Sequence, residues 1–319
     1  MSKLLIVKTS SMGDVIHALP VLADVAGSNP SWQVDWMVEE SFAGIPQMHP
    51  RVCNVIPVAV RRWRKAWWKG SVQAEWRAFK HRLASSHYDL VLDLQGLLKS
   101  AWLASKANGP VAGYDSHSIR EPIASYFYDR RFAVSRTSHA VTRNRQLAAE
   151  ALGYTIPSSL DYGLAPSPVA FSWLPHKPYA VLLHATSRAD KQWSVAAWQS
   201  LAVRLHELGL ACVLPWGSQA EQQAAATLAR GMPNAVVAPQ MSLADAAGVL
   251  AGARLTVGVD TGLSHLAAAV ACPTIALFCA SEPGLTGVMA DSLCWNLGHN
   301  GMPPSVDDVW RHVMQVLAP

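Results

Sequence analysis

The stretch from residue 179 to residue 214, YAVLLHATSRADKQWSVAAWQSLAVRLHELGLACVL, contains one complete strand–helix–strand unit. Tyr179–His184 is an apolar run with the length of a buried strand, and Leu210–Leu214 is a second such run. Between them, Ser194 is placed to cap a helix and Gly209 to end it. The apolar residues of that helix share one face: Ala197, Trp198, Leu201, Leu205 and Leu208. A helix between two strands predicts a parallel βαβ unit.

The same alternation extends outward from this unit in both directions. The remaining strand-like runs are Lys3–Lys8, Gln33–Val38, Val52–Ala59, Asp89–Leu94, Leu255–Val259 and Thr274–Phe278. A helical face is formed by Val72, Trp76, Phe79 and Leu83, and His139–Gly153 has the pattern of a helix that ends at a glycine. We therefore predict an α/β protein with two doubly wound Rossmann-like domains that face a cleft.

A proline-rich segment separates the two halves of the chain. Five prolines lie between Ile156 and Pro178: Pro157, Pro166, Pro168, Pro175 and Pro178. We predict an N-terminal domain over 1–155, a linker over 156–178 and a C-terminal domain over 179–300. The end of the chain, 301–319, contains a helix capped by Ser305. This helix is a candidate to pack back on the N-terminal domain.

The composition excludes several classes of protein. Half of the 319 residues are hydrophobic and 15% are charged, so the chain is expected to fold, and its net charge of +4 is mild. The five cysteines include no C-x-x-C pair, which argues against a disulfide framework or a zinc site. The run Leu4–Val7 is too short for a signal peptide, and no apolar run reaches the roughly 20 residues of a membrane span. We expect a cytoplasmic protein.

Common cofactor motifs do not occur in the sequence. G-x-G-x-x-G, a glycine–lysine P-loop, H-E-x-x-H and D-x-D are all missing. This argues against a dinucleotide oxidoreductase, a P-loop nucleotidase and a metal held by paired aspartates. Helix N-termini and basic side chains would have to hold any bound diphosphate.

The loops at the carboxyl ends of the predicted strands carry the candidate functional residues, because parallel sheets bind ligands there. After Leu255–Val259, a helix begins near Thr261, where Gly262 would allow a phosphate to approach the backbone. Asp260 could accept hydrogen bonds from sugar hydroxyls and His265 could donate one to phosphate. The alternative interpretation is that Asp260 only caps the helix and His265 belongs to the core.

Three further loops contribute candidates of the same kind. Thr186, Ser187 and Lys191 follow Tyr179–His184, and Lys191 is a point charge suited to a diphosphate. Glu221 could bind the two hydroxyls of a ribose, and Asp14 could act as a general base. The alternatives are a solvated lysine, a glutamate that complements a helix dipole and an aspartate that caps a helix.

Two of these segments resemble the signatures of the lipopolysaccharide heptosyltransferases. They are KTSSMGD at residues 8–14, followed by Pro20, and DTGLSHLA at residues 260–267. The loops containing Lys191 and Glu221 match as well, so that the resemblance covers residues 1–319. The N-terminal signature and the segment at residues 61–65 are most similar to the family members that add the first heptose to Kdo-lipid A. One departure is Ser187, which stands where the family has a threonine.

The resemblance implies a glycosyltransferase-B architecture and inverting transfer of L-glycero-D-manno-heptose from ADP-heptose to Kdo of Kdo2-lipid A, with no cofactor and no required metal. It implies that Asp14 is the catalytic base, that Glu221 binds the ribose and that Met241 lies against the adenine. The other implied donor contacts are Thr186, Ser187, Lys191, Asp260, Thr261, Gly262 and His265. A heptosyltransferase that acts later on the core oligosaccharide is the nearest alternative.

Residues 61–69, RRWRKAWWK, combine five positive charges with three tryptophans. The resemblance supplies an anionic acceptor at the cytoplasmic face of the inner membrane, where arginine pairs with acidic groups and tryptophan favours the interface. The implied acceptor contacts are Ser10, Arg61, Arg62, Arg64, Lys65, Arg120, His139 and Arg143, and Arg136 and Arg145 belong to the same basic group. A solvated face is one alternative. A non-catalytic nucleotide- or nucleic-acid-binding protein is another, although it has no need of a base at Asp14 and no nucleic-acid-binding motif is present.

Overall fold

The computed structural model describes residues 2–186 and 188–318, and the chain divides into two compact units, Met1–Gly163 and Leu164–Pro319. Each unit contains one six-stranded sheet, and every strand pair in both sheets is parallel. This confirms the predicted α/β class. Among the helices formed by the described residues, none is both long enough and apolar enough to cross a membrane.

Unit 1 alternates strands and helices along the chain. Its strands are Lys3–Val7 (β1), Gln33–Glu39 (β2), Val52–Val58 (β3), Leu90–Asp93 (β4), Val111–Tyr114 (β5) and Arg130–Phe132 (β6). Its helices are Met12–Ile16 (α1), Pro20–Ser28 (α2), Gly44–Gln47 (α3), Val60–Ala66 (α4), Gly70–Ala84 (α5), Leu98–Ala104 (α6) and Ala140–Leu152 (α7). Short 3₁₀ turns at Glu40–Phe42 and Pro122–Phe127 connect some of them.

Unit 2 follows the same alternation. Its strands are Tyr179–Leu183 (β7), Ala211–Leu214 (β8), Ala235–Val237 (β9), Leu255–Val259 (β10), Thr274–Leu277 (β11) and Cys294–Leu297 (β12). Its helices are Val195–Glu207 (α8), Gln219–Ala229 (α9), Leu243–Ala251 (α10), Gly262–Ala269 (α11) and Val306–Leu317 (α12), with a 3₁₀ turn at Ala189–Lys191. The core between the sheet and its helices includes the fully buried Leu182, Leu201, Val257 and Ile275.

The strand order is the same in the two units. It is β3-β2-β1-β4-β5-β6 in unit 1 and β12-β11-β10-β7-β8-β9 in unit 2. In each sheet the first strand along the chain lies next to the fourth, so the order reverses between β1 and β4 and between β7 and β10. Connections leave such a reversal in opposite directions and open a crevice at the carboxyl ends of the two central strands.

Local sequence signals account for most helix ends. Ser194 caps α8 with its side chain, as predicted, and Ser242 caps α10 in the same way. Gly153 and Gly209 adopt φ values of +74° and +79°, which favour glycine and end α7 and α8. Pro20 occupies the first position of α2, where its missing N–H is not needed, and α1 ends before it.

The segment predicted as a linker, 156–178, contains no helix or strand, and the boundary between the units falls inside it. It is nevertheless packed against both units. The carbonyls of Pro157 and Ser159 accept hydrogen bonds from Arg145 in unit 1, each at 2.9 Å. In unit 2, Val169 lies so close to Gly248 that a Cβ there would stand 2.6 Å from Val169 Cγ1. The segment is therefore anchored at both ends rather than free.

The last helix, α12, begins at the predicted cap Ser305, whose hydroxyl accepts a hydrogen bond from the Asp308 amide. Its apolar face packs into the core of unit 2, where Val309 and Val313 are fully buried. That face is therefore used within unit 2. Packing of this helix against the N-terminal domain stays a prediction.

Arg145 does not belong to a basic surface, contrary to its grouping with Arg136 and Arg143 in the sequence. Its guanidinium donates to both carboxylate oxygens of Asp24 at 2.7 and 2.8 Å, and both side chains are buried. The pair joins α7 to α2, and the same guanidinium donates to the carbonyls that begin the proline-rich segment. One buried cation thus ties three parts of unit 1 together.

We predict that Arg145→Ala destabilises unit 1 by about 3–5 kcal/mol, because the substitution leaves the Asp24 carboxylate buried and unpaired. Urea unfolding, followed by circular dichroism, measures this loss. Arg204→Ala is the control, because Arg204 pairs with the largely exposed Asp307 and exposed pairs contribute little. An equal effect of the two substitutions would contradict the structural role of Arg145.

Candidate functional site

The loops that follow β7 and β10 meet at the strand-order reversal of unit 2. Lys191, from the loop after β7, donates a hydrogen bond of 2.5 Å to Asp260 Oδ2 at the end of β10. Ser281, from the loop after β11, donates to the same oxygen at 2.7 Å, and Thr186 Oγ1 lies 3.5 Å from the Asp260 carbonyl. Three predicted donor residues, Thr186, Lys191 and Asp260, are therefore brought together.

The Asp260 carboxylate lies in a strongly polarised environment. Burial acts to raise its pKa, but the hydrogen bonds from Lys191 and Ser281 and the charges of Lys191 and His265 together hold that pKa below its usual value. Asp260 is consequently ionised at neutral pH and can accept hydrogen bonds from hydroxyl groups. Lys191 is largely buried beside it, so the loop presents a fixed pair of opposite charges.

Helix α11 begins directly after Asp260, with Thr261 at its N-cap and Gly262 as its first residue. Ser264 in the first turn donates to the Val259 carbonyl at 2.7 Å, which holds the helix against β10. Gly258 permits this approach, because a Cβ there would lie 2.5 Å from Ser264 Oγ. The amides of the first helical turn are suited to an anion. His265 is buried one turn into the helix.

Glu221 lies in the first turn of α9, as its position in the sequence predicts. Its Oε2 accepts hydrogen bonds from the amides of Gly217 and Ser218 at 2.7 and 3.1 Å, so one carboxylate oxygen is used to cap the helix. Glu221 also lines a cavity of about 570 Å³ together with Thr186 and His184. Burial lowers the pKa of His184, so its imidazole is neutral at pH 7.

The structure says less about two other predicted donor residues, Met241 and Ser187. Met241 is half-buried and directly precedes the Ser242 cap of α10, beyond the carboxyl end of β9. Ser187 lies outside the described residues. The neighbouring loop after β8 is tied to the loop after β9 by Trp216, whose Nε1 donates to the Ala238 carbonyl at 2.5 Å. This role of Trp216 was not predicted from the sequence.

In unit 1, Asp14 lies in the first turn of α1, directly beyond β1. Its Oδ2 accepts hydrogen bonds from the amide and the hydroxyl of Ser11 at 2.7 and 2.8 Å. The carboxylate is partly exposed. It therefore caps its helix, as the alternative interpretation proposed, and its partial exposure leaves it accessible, so its role as a general base stays a prediction.

The sequence did not reveal a buried lysine that interacts electrostatically with Asp14. Lys8 Nζ donates to the Leu94 carbonyl at 2.8 Å and to Asn144 Oδ1 at 3.4 Å. Burial lowers its pKa, against the opposing attraction of Asp14 and Asp93. A cation thus lies within electrostatic range of the candidate base.

The loop between β1 and α1 is held by residues that follow β4. Gln95 Oε1 accepts hydrogen bonds from the amides of Thr9 and Ser10, both at 3.0 Å. Lys99 Nζ donates to Ser10 Oγ at 3.0 Å, which places a second cation beside a predicted acceptor contact. Because β4 neighbours β1, the rule that ligands bind at carboxyl ends of central strands could have identified both residues once the strand order was known.

The predicted acceptor residues near α7 have structural partners. His139 caps α7 by accepting from the Val141 amide at 3.2 Å, and its ring lies 5.4 Å from that of His17. Arg143 donates to the Ser118 carbonyl at 2.8 Å and lies over the Tyr114 ring. Arg120 is exposed in the loop after β5.

The basic segment 61–65 lies within α4, but its cations are not equivalent. Arg62 donates to Glu75 at 2.8 and 2.9 Å and to Glu40 at 3.0 and 3.3 Å, so its charge is balanced within unit 1. Arg61, Arg64 and Lys65 are exposed. Of the four cations in this segment that are predicted to bind the acceptor, Arg62 is therefore a link between α4, α5 and the turn after β2.

The whole-chain comparisons agree with the arrangement of both units. Residues 76–310 match the model of glycosyltransferase family 9 (heptosyltransferase). Lipopolysaccharide heptosyltransferase 1 from Pseudomonas aeruginosa is 53% identical over 292 residues, which cover 91% of this chain and 82% of that protein. The Escherichia coli K12 protein of the same name is 47% identical over 287 residues, covering 89% and 90% of the two chains.

Solved structures show the same similarity in three dimensions. The E. coli heptosyltransferase WaaC with ADP superposes with a TM-score of 0.90 and 41% identity, covering 98% of this chain and 99% of that one. The E. coli ADP-heptose lps heptosyltransferase II, at 21% identity and a TM-score of 0.76 over 99% and 97% of the chains, shares the fold.

Proposed function

This chain belongs to glycosyltransferase family 9, the heptosyltransferases, and we propose that its donor is ADP-L-glycero-D-manno-heptose and its acceptor is Kdo of Kdo2-lipid A. It is a glycosyltransferase of lipopolysaccharide inner-core biosynthesis. We also propose that the configuration at the anomeric carbon is inverted and that the reaction requires no metal or other cofactor. The proposal also includes a cytoplasmic location with peripheral contact to the inner membrane.

The observation that carries the donor assignment is the Lys191–Asp260 pair at the strand-order reversal of unit 2. The related WaaC structures contain ADP and an ADP-2-deoxy-2-fluoro heptose, which supports a nucleotide heptose as the ligand. Lys191 and the first-turn amides of α11 would face the diphosphate, and Asp260 would accept from heptose hydroxyls. Glu221 Oε1 would bind the ribose, since Oε2 caps α9.

Asp14 would provide the base of a single-displacement reaction. Its carboxylate, held by Ser11, would take the proton from the acceptor hydroxyl as that oxygen attacks the anomeric carbon. The bond to the diphosphate breaks on the opposite face, which inverts the configuration, and ADP leaves with the bonding electrons. Lys191, His265 and the amides near Gly262 would stabilise the negative charge of the departing ADP.

The exposed cations of α4 would contact the acceptor. Arg61, Arg64 and Lys65 are suited to the carboxylates and phosphates of Kdo2-lipid A, and Ser10 with Lys99 lies near Asp14 in the loop where the acceptor hydroxyl would react. Arg120 and Arg143 belong to the same unit. Arg62 would support this surface by holding α4 in place rather than by binding.

We predict that Asp14→Asn lowers turnover roughly a hundred- to ten-thousand-fold, because asparagine retains the hydrogen bonds from Ser11 but accepts no proton. The measurement is ADP release from ADP-heptose with Kdo2-lipid A, and calorimetry should show near-normal ADP binding. Retention of most of the turnover would exclude Asp14 as the base. If the wild type releases ADP only with an acceptor that already carries heptose, the enzyme acts later on the core oligosaccharide.

For the donor site, we predict that Lys191→Ala weakens ADP binding by about 1.5–3 kcal/mol, the usual contribution of a charge-assisted hydrogen bond. Isothermal calorimetry with ADP measures this change. Lys177→Ala is the matched control, since Lys177 is exposed in the same unit and makes none of the contacts with Asp260. Unchanged ADP affinity in Lys191→Ala would remove this residue from the donor site.

For the acceptor site, neutralising Arg61, Arg64 and Lys65 together to glutamine should raise the KM for Kdo2-lipid A several-fold and leave the KM for ADP-heptose unchanged. The effect should shrink as salt rises, because exposed charges are screened beyond about 8–10 Å near physiological ionic strength. Unchanged acceptor kinetics at low salt would favour a solvated face. Oligonucleotide binding by the wild type with a steep negative salt slope would instead support the nucleic-acid alternative.

A further inference from the structure

An apolar groove lies on the surface of unit 1 between α4, α5 and α6. It has a volume of about 320 Å³ and is lined mainly by tryptophan and aliphatic side chains, among them Trp63, Trp67, Val72, Trp76 and Trp102. Almost no polar surface faces it. None of the residues given a role in heptose transfer lines it except Arg64, which stands at its edge.

The walls of the groove are held in place by contacts within unit 1. The rings of Trp76 and Trp102 stack with centroids 4.9 Å apart and planes within 4°. Trp63 packs edge-on against Trp76, and its Nε1 donates to Glu75, the carboxylate that also binds Arg62. The groove is therefore formed before any ligand binds, so binding has little ordering entropy to offset.

The aromatic side chains at the mouth of the groove are unusually exposed. Trp67 is 67% exposed and Trp102 is 43% exposed, and the adjacent Trp68 is 62% exposed. Contiguous exposed apolar surface of this kind marks a contact with a protein, a membrane or a ligand. Tryptophan in particular is enriched at the boundary between water and lipid, because its ring is largely apolar and its N–H is polar.

Positive charge surrounds this mouth. Arg64, Lys65 and Lys69 lie on the segment between Trp63 and α5, and residues 61–69 contain no carboxylate. Lys80 and Lys106 lie over the rings of Trp76 and Trp102 at 5.7 and 5.3 Å from their centroids. A cationic rim around an apolar slot complements a molecule with an anionic head and a hydrocarbon tail, and anionic leaflets attract such clusters.

We propose that this groove takes a hydrocarbon chain of an anionic membrane phospholipid, whose phosphate contacts the surrounding lysines and Arg64. The proposal rests on the proposed function in one respect, namely that the acceptor is anchored in a membrane. It adds to that function a second lipid contact, separate from the acceptor sugar. Tryptophan rings enter the bilayer interface while the long basic side chains reach the head groups.

The test uses the full-length protein and vesicles without acceptor. We expect it to sediment with vesicles of equal phosphatidylcholine and phosphatidylglycerol but not with phosphatidylcholine alone. Bromine atoms on the acyl chains of phosphatidylglycerol should quench part of the tryptophan fluorescence. Sedimentation without quenching would mean that only charge attracts the protein to the vesicle. It would overturn the proposal that the groove binds a hydrocarbon chain. If binding requires Kdo2-lipid A in the vesicle, the hydrocarbon chain in the groove belongs to the acceptor. That result would equally overturn the proposal.

Two comparisons, each of a groove variant with a control variant, locate the contact. Trp67→Ala with Trp102→Ala should lower the vesicle-bound fraction at least several-fold and abolish the quenching, whereas Tyr126→Ala removes a ring that is 77% exposed elsewhere in unit 1 and should change neither. Gln73→Glu, which places a carboxylate in the groove wall and keeps every tryptophan, should weaken binding more than Gln47→Glu, an equal charge change at an exposed site. Equal effects within either comparison would refute the proposal.

A soluble acceptor distinguishes this proposal from the function on which it rests. The groove variants should retain wild-type ADP release with Kdo2-lipid A from which the acyl chains have been removed, because that acceptor needs no membrane. Absence of turnover by the wild type with both acceptors would instead refute the proposed function. The vesicle measurements would still test lipid binding in the groove. Acidic-peptide binding that competes with vesicles would point to a protein occupant and against a lipid.

Discussion

The strand order of the two sheets is the constraint on which the rest of the structure depends. Parallel strands must be joined by right-handed crossovers, so the chain can extend a sheet in one direction only by placing helices on one face. After β3 and again after β9, the chain returns to the centre and extends the sheet the other way. The loops that leave the two central strands then diverge and cannot cover each other. Asp14 and Asp260 both follow strands at such a reversal.

Three ion pairs show how burial and position decide what a charge does. Arg145 and Asp24 are buried in unit 1 and bind each other through two hydrogen bonds, so they hold the fold together. Arg62 shares two carboxylates at the surface and joins helices. The Lys191–Asp260 pair is also largely buried, but it lies at the strand-order reversal of unit 2, where we propose that the donor binds.

Helix α4 carries two kinds of surface because its neighbours fix its orientation. Glu39 accepts hydrogen bonds from the amides of Val60 and Arg61 at the beginning of the helix, and Glu75 binds Arg62 and Trp63. With the helix held in this way, Arg61, Arg64 and Lys65 are exposed and Trp63 packs against Trp76 of α5. Neighbouring surfaces of this helix can therefore contact the anionic head group and the hydrocarbon chain of a lipid.

The sequence by itself determined the α/β class, most strands of both sheets and the caps Ser194 and Ser305, because periodicity and capping depend on residues a few positions apart. It did not predict the short strands β5, β6, β9 and β12, whose few residues carry too weak a pattern. Asp14, Lys191 and Asp260 were found as candidates because each follows a recognisable strand. Only the tertiary structure decided that Lys191 contacts Asp260 across 69 positions, that Lys8 is buried within electrostatic range of Asp14 and that Arg62 and Arg145 are paired with carboxylates. Such pairings depend on which strands are neighbours and on which side chains are desolvated, and neither property is local in the sequence.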